Sequence, residues 1–169
     1  MQEIIGTSKN NVSVTYDPIY SHAATHLEDT PQLKSLASEV IAGMELVGQE
    51  VKTDVDLGRV VGVCDVVAVD DTDEIVYGVR KNREDDGLVP FTKSRRGTPC
   101  NRVAVHLIPQ PDKTYELSSA WIGEFGEDDE PFPQSPSATE RSIDFWKRWA
   151  FVYGSQEILP GTETSEYPW

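Results

Sequence analysis

Apolar residues recur at three- and four-residue intervals between Pro31 and Val47, at Leu33, Leu36, Ala37, Val40, Ile41, Met44 and Val47. That spacing puts them on one stripe of an α-helix. Thr30 suits the N-cap, Pro31 the first helical position, where its missing N–H costs nothing, and Gly48 the stop. A second helical pattern starts at Ser137, which stands to Glu140 as in a capping box. Ile143, Trp146 and Ala150 then share a face that Phe145, Trp149 and Val152 widen.

Elsewhere the period is two. Val12, Val14 and Tyr16 alternate between Asn10-Asn11 and Asp17-Pro18, which predicts a short strand. Arg59 to Val69 is valine-rich, Asp70 to Asp73 reads as a turn, and Glu74 to Arg83 as the returning strand, so an antiparallel hairpin is predicted. On the returning strand Ile75, Tyr77 and Val79 share one face, with Val76, Gly78 and Arg80 on the other; Arg80 pairs with Asn82 in facing, and Lys81 with Arg83. Gly87, Pro90, Gly97 and Pro99 break Glu84 to Pro99 into a loop. Arg102 to Ile108 is a third strand, Pro109 to Lys113 a turn, and Tyr115 to Ile122 a fourth strand. On this last strand Leu117, Ser119 and Trp121 should share one face, with Glu116, Ser118, Ala120 and Ile122 on the other. Gly126 to Pro136 is acidic and proline-rich, a loop. The order of elements predicts an α+β fold, an antiparallel sheet of about four strands packed by an N-terminal helix and a C-terminal helix. A single domain over residues 1–169 is expected, with 1–11 and 154–169 as extended tails.

Composition adds a charge constraint. The 169 residues hold 15 Lys and Arg against 29 Asp and Glu, a formal net charge of −14. The chain is long enough for a substantial core, and its charge opposes non-specific nucleic-acid binding over the whole surface. Cys64, set among valines, reads as a buried thiol, and Cys100 lies near a loop end. Two cysteines are too few for a disulfide scaffold. No signal-peptide pattern opens the chain and no apolar run is long enough to span a membrane. A cytoplasmic setting without a membrane partner is therefore expected.

Against this acidic background, Arg80, Lys81, Arg83, Lys93, Arg95, Arg96 and Arg102 crowd one stretch. Such a cluster either neutralises local acids, among them Glu84, Asp85 and Asp86, or binds an anion: RNA or a small phosphate-bearing ligand. His22 and His26 are four apart and would share a helix face. They serve proton transfer, a metal, or only the structure. A complete zinc site would need Asp or Glu in addition, so no metal and no cofactor is expected. His106 falls mid-strand, where packing or hydrogen bonding is its expected role. Ser118 and Ser119 put hydroxyls inside a strand that otherwise reads as core; they bond within the sheet or face a cleft. Nucleotide-binding glycine motifs and the nucleophile elbow of serine hydrolases are absent. Trp146 and Trp149 read as core rather than as a base-stacking platform.

The segments HAATH, LGRVVGVCDVV, DEIVYGVRKNR, SSAWIG, PFP and GTETSEYPW, in this order, resemble an uncharacterised bacterial protein family, a likeness that implies no activity. More distantly, the layout is similar to the ribonuclease superfamily of barnase, EndoU, colicin-type and RelE-type toxins. That resemblance implies an N-terminal helical region on a four-stranded antiparallel sheet. It also implies a metal-independent site combining His22 or His26, Arg80 or Lys81, and Ser118 or Ser119, with Arg83, Lys93, Arg95, Arg96 and Arg102 as phosphate contacts. The chain departs from those toxins in being acidic rather than basic. Two functions are thus expected as alternatives: a nuclease-like protein acting on RNA or another phosphate-bearing ligand, and a non-catalytic acidic protein that binds a protein partner.

Overall fold

The computed structural model describes residues 1–81, 83–124 and 140–169. In chain order the elements are β1 (Glu3–Thr7), β2 (Ser13–Tyr16), α1 (His22–Asp29), α2 (Leu33–Ala42), β3 (Val51–Asp56), β4 (Gly62–Cys64), β5 (Val66–Ala68), β6 (Ile75–Val79), β7 (Leu88–Thr92), β8 (Thr98–Cys100), β9 (Arg102–Pro109), β10 (Tyr115–Ile122), α3 (Glu140–Trp146) and β11 (Trp149–Val152). The fold is α+β and rich in antiparallel pairing, but it departs from one sheet between two helices. It has sheets of five, four and two strands, and its helices are short. No helix among the described residues is long and apolar enough to cross a membrane. The chain divides into two compact units, Met1–Val63 with Pro99–Phe125, and Cys64–Thr98 with Gly126–Trp169.

The first unit carries the five-stranded sheet, in the order β1-β2-β10-β9-β3. Its pairs are antiparallel except that of β2 with β10. The stripe of α2, Leu33, Leu36, Ala37, Val40 and Ile41, is buried, and the helix packs on β1, β9 and β10. Helix α2 starts later than Thr30-Pro31 predicts because Thr30 closes α1: its N–H donates to the His26 carbonyl at 3.1 Å. The helix stops at Gly43, not Gly48, which leaves Val47 exposed. Asn10 supplies what the missing turn would have given. Its side chain accepts from Leu46 N–H at 3.1 Å and donates to the Leu46 carbonyl at 2.9 Å, holding Leu46 in the core.

Strand β10 occupies the expected residues with a different facing. The ladder with β9 shifts register between Leu117 and Ser119, so Ser118 is a bulge. One extra residue reverses the alternation. Tyr115, Leu117, Ala120 and Ile122 therefore belong to the core, and Ser119 lies opposite His106. Tyr115, fully inside, still satisfies its hydroxyl: it accepts from Gly48 N–H at 2.7 Å and donates to the Gln49 carbonyl at 3.0 Å.

In the second unit the sheet order is β5-β11-β7-β6. The predicted hairpin of residues 59–69 with 74–83 does not form. That first segment is broken at Asp65 into β4 and β5, and β5 and β6 lie at opposite edges of the sheet. Strand β6 pairs instead with β7, inside the stretch read as loop. Pro90 is tolerated there because its neighbour Tyr77 exchanges both backbone hydrogen bonds with Thr164, away from β7. Strand β11 was read as the end of the second helix, yet α3 ends at Trp146 and the chain re-enters as a strand between β5 and β7. The Ser137 cap, the loop at 126–136 and Asn82 lie outside the described residues.

Residues 154–169 are more than a tail. They bridge the outer edge of β6 at Tyr77↔Thr164 and Arg80↔Ile158. Gly78 makes this approach possible: a Cβ there would stand 2.6 Å from Ile158 Cγ2. Tyr77, Tyr167 and Trp169 meet edge-to-face at 5.7–6.1 Å. Strands β4 and β8 form a separate two-stranded ladder. Cys64, expected to be buried, is half-buried, and Cys100 is buried.

Two outcomes are expected. Leu36→Asp removes a burial worth about 1.5–3 kcal/mol and puts a charge against the sheet, so the thermal midpoint should fall sharply. The second concerns Asp65, whose carboxyl is raised above the ordinary range by burial, an effect partly offset by Gln156 Nε2 at 3.4 Å. A raised folded-state value favours the fold only below the unfolded value, and that contribution is lost as pH rises through the folded one. Asp65→Asn should therefore raise the thermal midpoint at neutral pH, with the difference closing below about pH 4; equal shifts at both pH values would contradict this account.

Candidate functional site

The expected site residues fall in both units. His22, His26, Ser118, Ser119 and Arg102 belong to the first; Arg80, Lys81, Arg83, Lys93, Arg95 and Arg96 belong to the second. In the first unit, Ser21 starts α1 by accepting from Ala24 N–H at 3.2 Å, and α1 packs on β10 through its Ala23, Ala24 and Leu27 side. His22 is exposed and His26 half-buried; their Nε2 atoms are 3.2 Å apart. On β10, Ser119 is buried and the bulge residue Ser118 half-buried. The histidine opposite Ser119 is His106, bound through Nε2 to Glu50 Oε1 at 2.7 Å. That bond holds the Glu50 carboxyl below the usual carboxylate range, with help from Lys52.

The cationic stretch is largely met by carboxylates. Arg80, 6% exposed, puts a terminal nitrogen 2.8 Å from Asp86 and its guanidinium 4.6 Å from the Phe151 ring centre. Lys81 reaches Glu157 at 2.8 Å. Lys93 stands between Glu74 at 3.9 Å and Glu163 at 3.7 Å, over the Tyr153 ring. Arg95 bridges Asp73 and Asp70, both at 2.9 Å. In the other unit Arg102 is hydrogen-bonded to Asp54, with Asp56 at 3.9 Å. Arg83 donates its backbone N–H to the Arg80 carbonyl at 3.0 Å. Arg96 is exposed and joins no ion pair among the described residues.

A feature that sequence reasoning missed is a cavity of about 350 Å³ in the second unit. Its lining includes Asp70, Asp71 and Asp73, the aromatic residues Tyr77, Trp146 and Tyr167, and one cation, Lys147. Burial raises the Tyr77 hydroxyl above its ordinary range, as does nearby Tyr167. Ring faces beside carboxylates suit a cationic group. In sequence the two halves lie far apart, at Tyr77 and Trp146, and only DDTD was visible, as a turn. Among the described residues, no group of three or more His, Cys, Asp or Glu side chains could hold a metal ion.

Compared with known proteins, the chain matches no family model, no curated protein and no solved structure.

The two ends of the exposure range separate structural from surface cations. Arg80→Ala leaves Asp86 without its partner in a mostly buried pair, a change expected to cost about 3 kcal/mol. Lys81→Ala breaks a pair whose side chains are 45% and 68% exposed, and should cost less than about 1 kcal/mol. Urea unfolding of both variants measures the contrast.

Proposed function

We propose that this chain is a non-catalytic binding protein that recognises a basic polypeptide. The observation that carries this reading is the engagement of Arg80, Lys81, Lys93, Arg95 and Arg102 by neighbouring carboxylates, on a protein of net charge −14. The cations are engaged while acidic groups remain in excess. In the cavity of Asp70, Asp71, Asp73, Tyr77, Trp146 and Tyr167, Arg95 engages Asp70 and Asp73 and Lys147 also lines the wall, so Asp71 is the carboxylate on which this reading turns. A lysine or arginine side chain entering it would meet carboxylate charge and aromatic faces together. Long-range attraction between an acidic surface and a basic chain would speed encounter.

The second reading is RNA cleavage by attack of a 2′-hydroxyl on the adjacent phosphate. His22 or His26 would take the proton, Arg80 or Lys81 would stabilise charge on the phosphoryl oxygens, and Ser118 or Ser119 would orient the group. For that chemistry Arg80 must exchange Asp86, or Lys81 must exchange Glu157, for the phosphate. Either exchange weighs against it.

One set of measurements separates the two. A lysine- and arginine-rich peptide should bind the purified protein at low salt and lose affinity as screening shortens to roughly 8 Å at physiological ionic strength. Tyr167→Ala should weaken that binding by about 1 kcal/mol, roughly fivefold, and Asp71→Asn should weaken it further. Absence of peptide binding at low salt would overturn the proposal. So would chelator-resistant cleavage of mixed RNA that His22→Ala or His26→Ala abolishes.

A further inference from the structure

The histidine pair of α1 lies in the unit that does not contain the acidic cavity, and the reading above leaves it unused. Its geometry is specific. His22 and His26 are one helical turn apart, and the apolar side of α1, Ala23, Ala24 and Leu27, is turned into the core. The imidazoles thus project from the flank of the helix, with His22 exposed. Their rings are 4.8 Å apart between centroids and nearly perpendicular, at 82°. The Nε2 atoms approach to 3.2 Å.

That separation can be compared with what a shared ion requires. Imidazole nitrogen binds zinc at about 2.0–2.1 Å. Two such bonds spanning 3.2 Å between nitrogens enclose an angle of about 100–106° at the metal. This is close to the tetrahedral value and wider than the right angle of a square-planar ion. The pair therefore already holds the spacing of two adjacent corners of a tetrahedron.

The proton inventory also closes. At 3.2 Å one ring donates Nε2–H and the other accepts, because two facing lone pairs would repel. An ion between the rings needs both Nε2 atoms unprotonated. The donor ring meets this by moving its proton to Nδ1, a change of tautomer that leaves both imidazoles neutral.

We propose that His22 and His26 form a two-point site for a tetrahedral divalent transition-metal ion of the zinc class. Among the described residues the pair supplies two ligands, and such a site departs from the expectation of no metal.

The test uses the whole chain, with Zn²⁺ followed by calorimetry and Co²⁺ by its visible absorption. Wild-type protein should bind one ion saturably, and the cobalt band should have the intensity of a tetrahedral site. Loss of a second-shell partner already costs 10–100-fold in metal affinity, so His22→Ala and His26→Ala should each weaken binding at least about tenfold. His106→Ala, which removes the histidine bound to Glu50, should leave binding unchanged. His22 is exposed, so His22→Ala keeps the test valid even if His26→Ala perturbs the helix. Absence of saturable binding by the wild type, undiminished binding by His22→Ala, or a loss that follows His106→Ala would each overturn the proposal.

Discussion

The first unit depends on the desolvation of one strand. Val103, Val105 and Leu107 of β9 are fully buried, and β9 is hydrogen-bonded along both edges, to β10 and to β3. Burying each such side chain contributes about 1.5–3 kcal/mol, while the strand can satisfy its own backbone only if both neighbours are present. Everything else in the unit answers one of those two demands. Strand β3 and strand β10 complete the ladder; α1 and α2 roof the apolar face. The bulge at Ser118 lets β10 meet both, since it brings Ala120 and Ile122 back to the core after Leu117 and leaves the serines elsewhere.

Charge is arranged differently in the two settings. The exposed pairs Lys81–Glu157 and Arg95–Asp70 add little stability, although Arg95 also reaches the buried Asp73. Arg80 is the exception. It is buried against Phe151 with Asp86 beside it, so its desolvation is tolerable only because an opposite charge and a ring face are fixed nearby. A stretch that looks cationic in sequence is thus close to neutral in space.

Legibility followed locality. The residues of β9 and β10 and the apolar stripe of α2 were readable, because each signal lies inside a single segment. Strands β1 and β3 were not, since Glu3–Thr7 and Val51–Asp56 carry charges and polar residues on their outward faces and owe their pairing to distant partners. The hairpin expected across Asp70–Asp73 failed for a related reason. The aspartates bond to their own turn, Asp73 to Asp70 N–H and Asp70 to Thr72 N–H, and so satisfy the loop without bringing β5 and β6 together. Trp149–Val152 was misread because an aromatic, apolar run of that length fits either a helix or a buried strand. The four-residue spacing of His22 and His26 was visible, but the helix α1 that carries them was not predicted. The cavity was not visible, because its acids and rings come from separate segments.

The interleaving of the second sheet bears on how the chain is made. Strand β11 pairs with β5 on one side and, in parallel, with β7 on the other, although residues 69–148 separate it from β5. During synthesis β6 and β7 can join as soon as both have emerged, whereas β5 must wait for the strand that fills the gap. Until then two open strand edges face water, ready to pair with any chain within reach. Such late, non-local closure is slow, so those edges of the second unit stay open until Trp149–Val152 has emerged, whereas the strands of the five-stranded sheet are complete by Ile122.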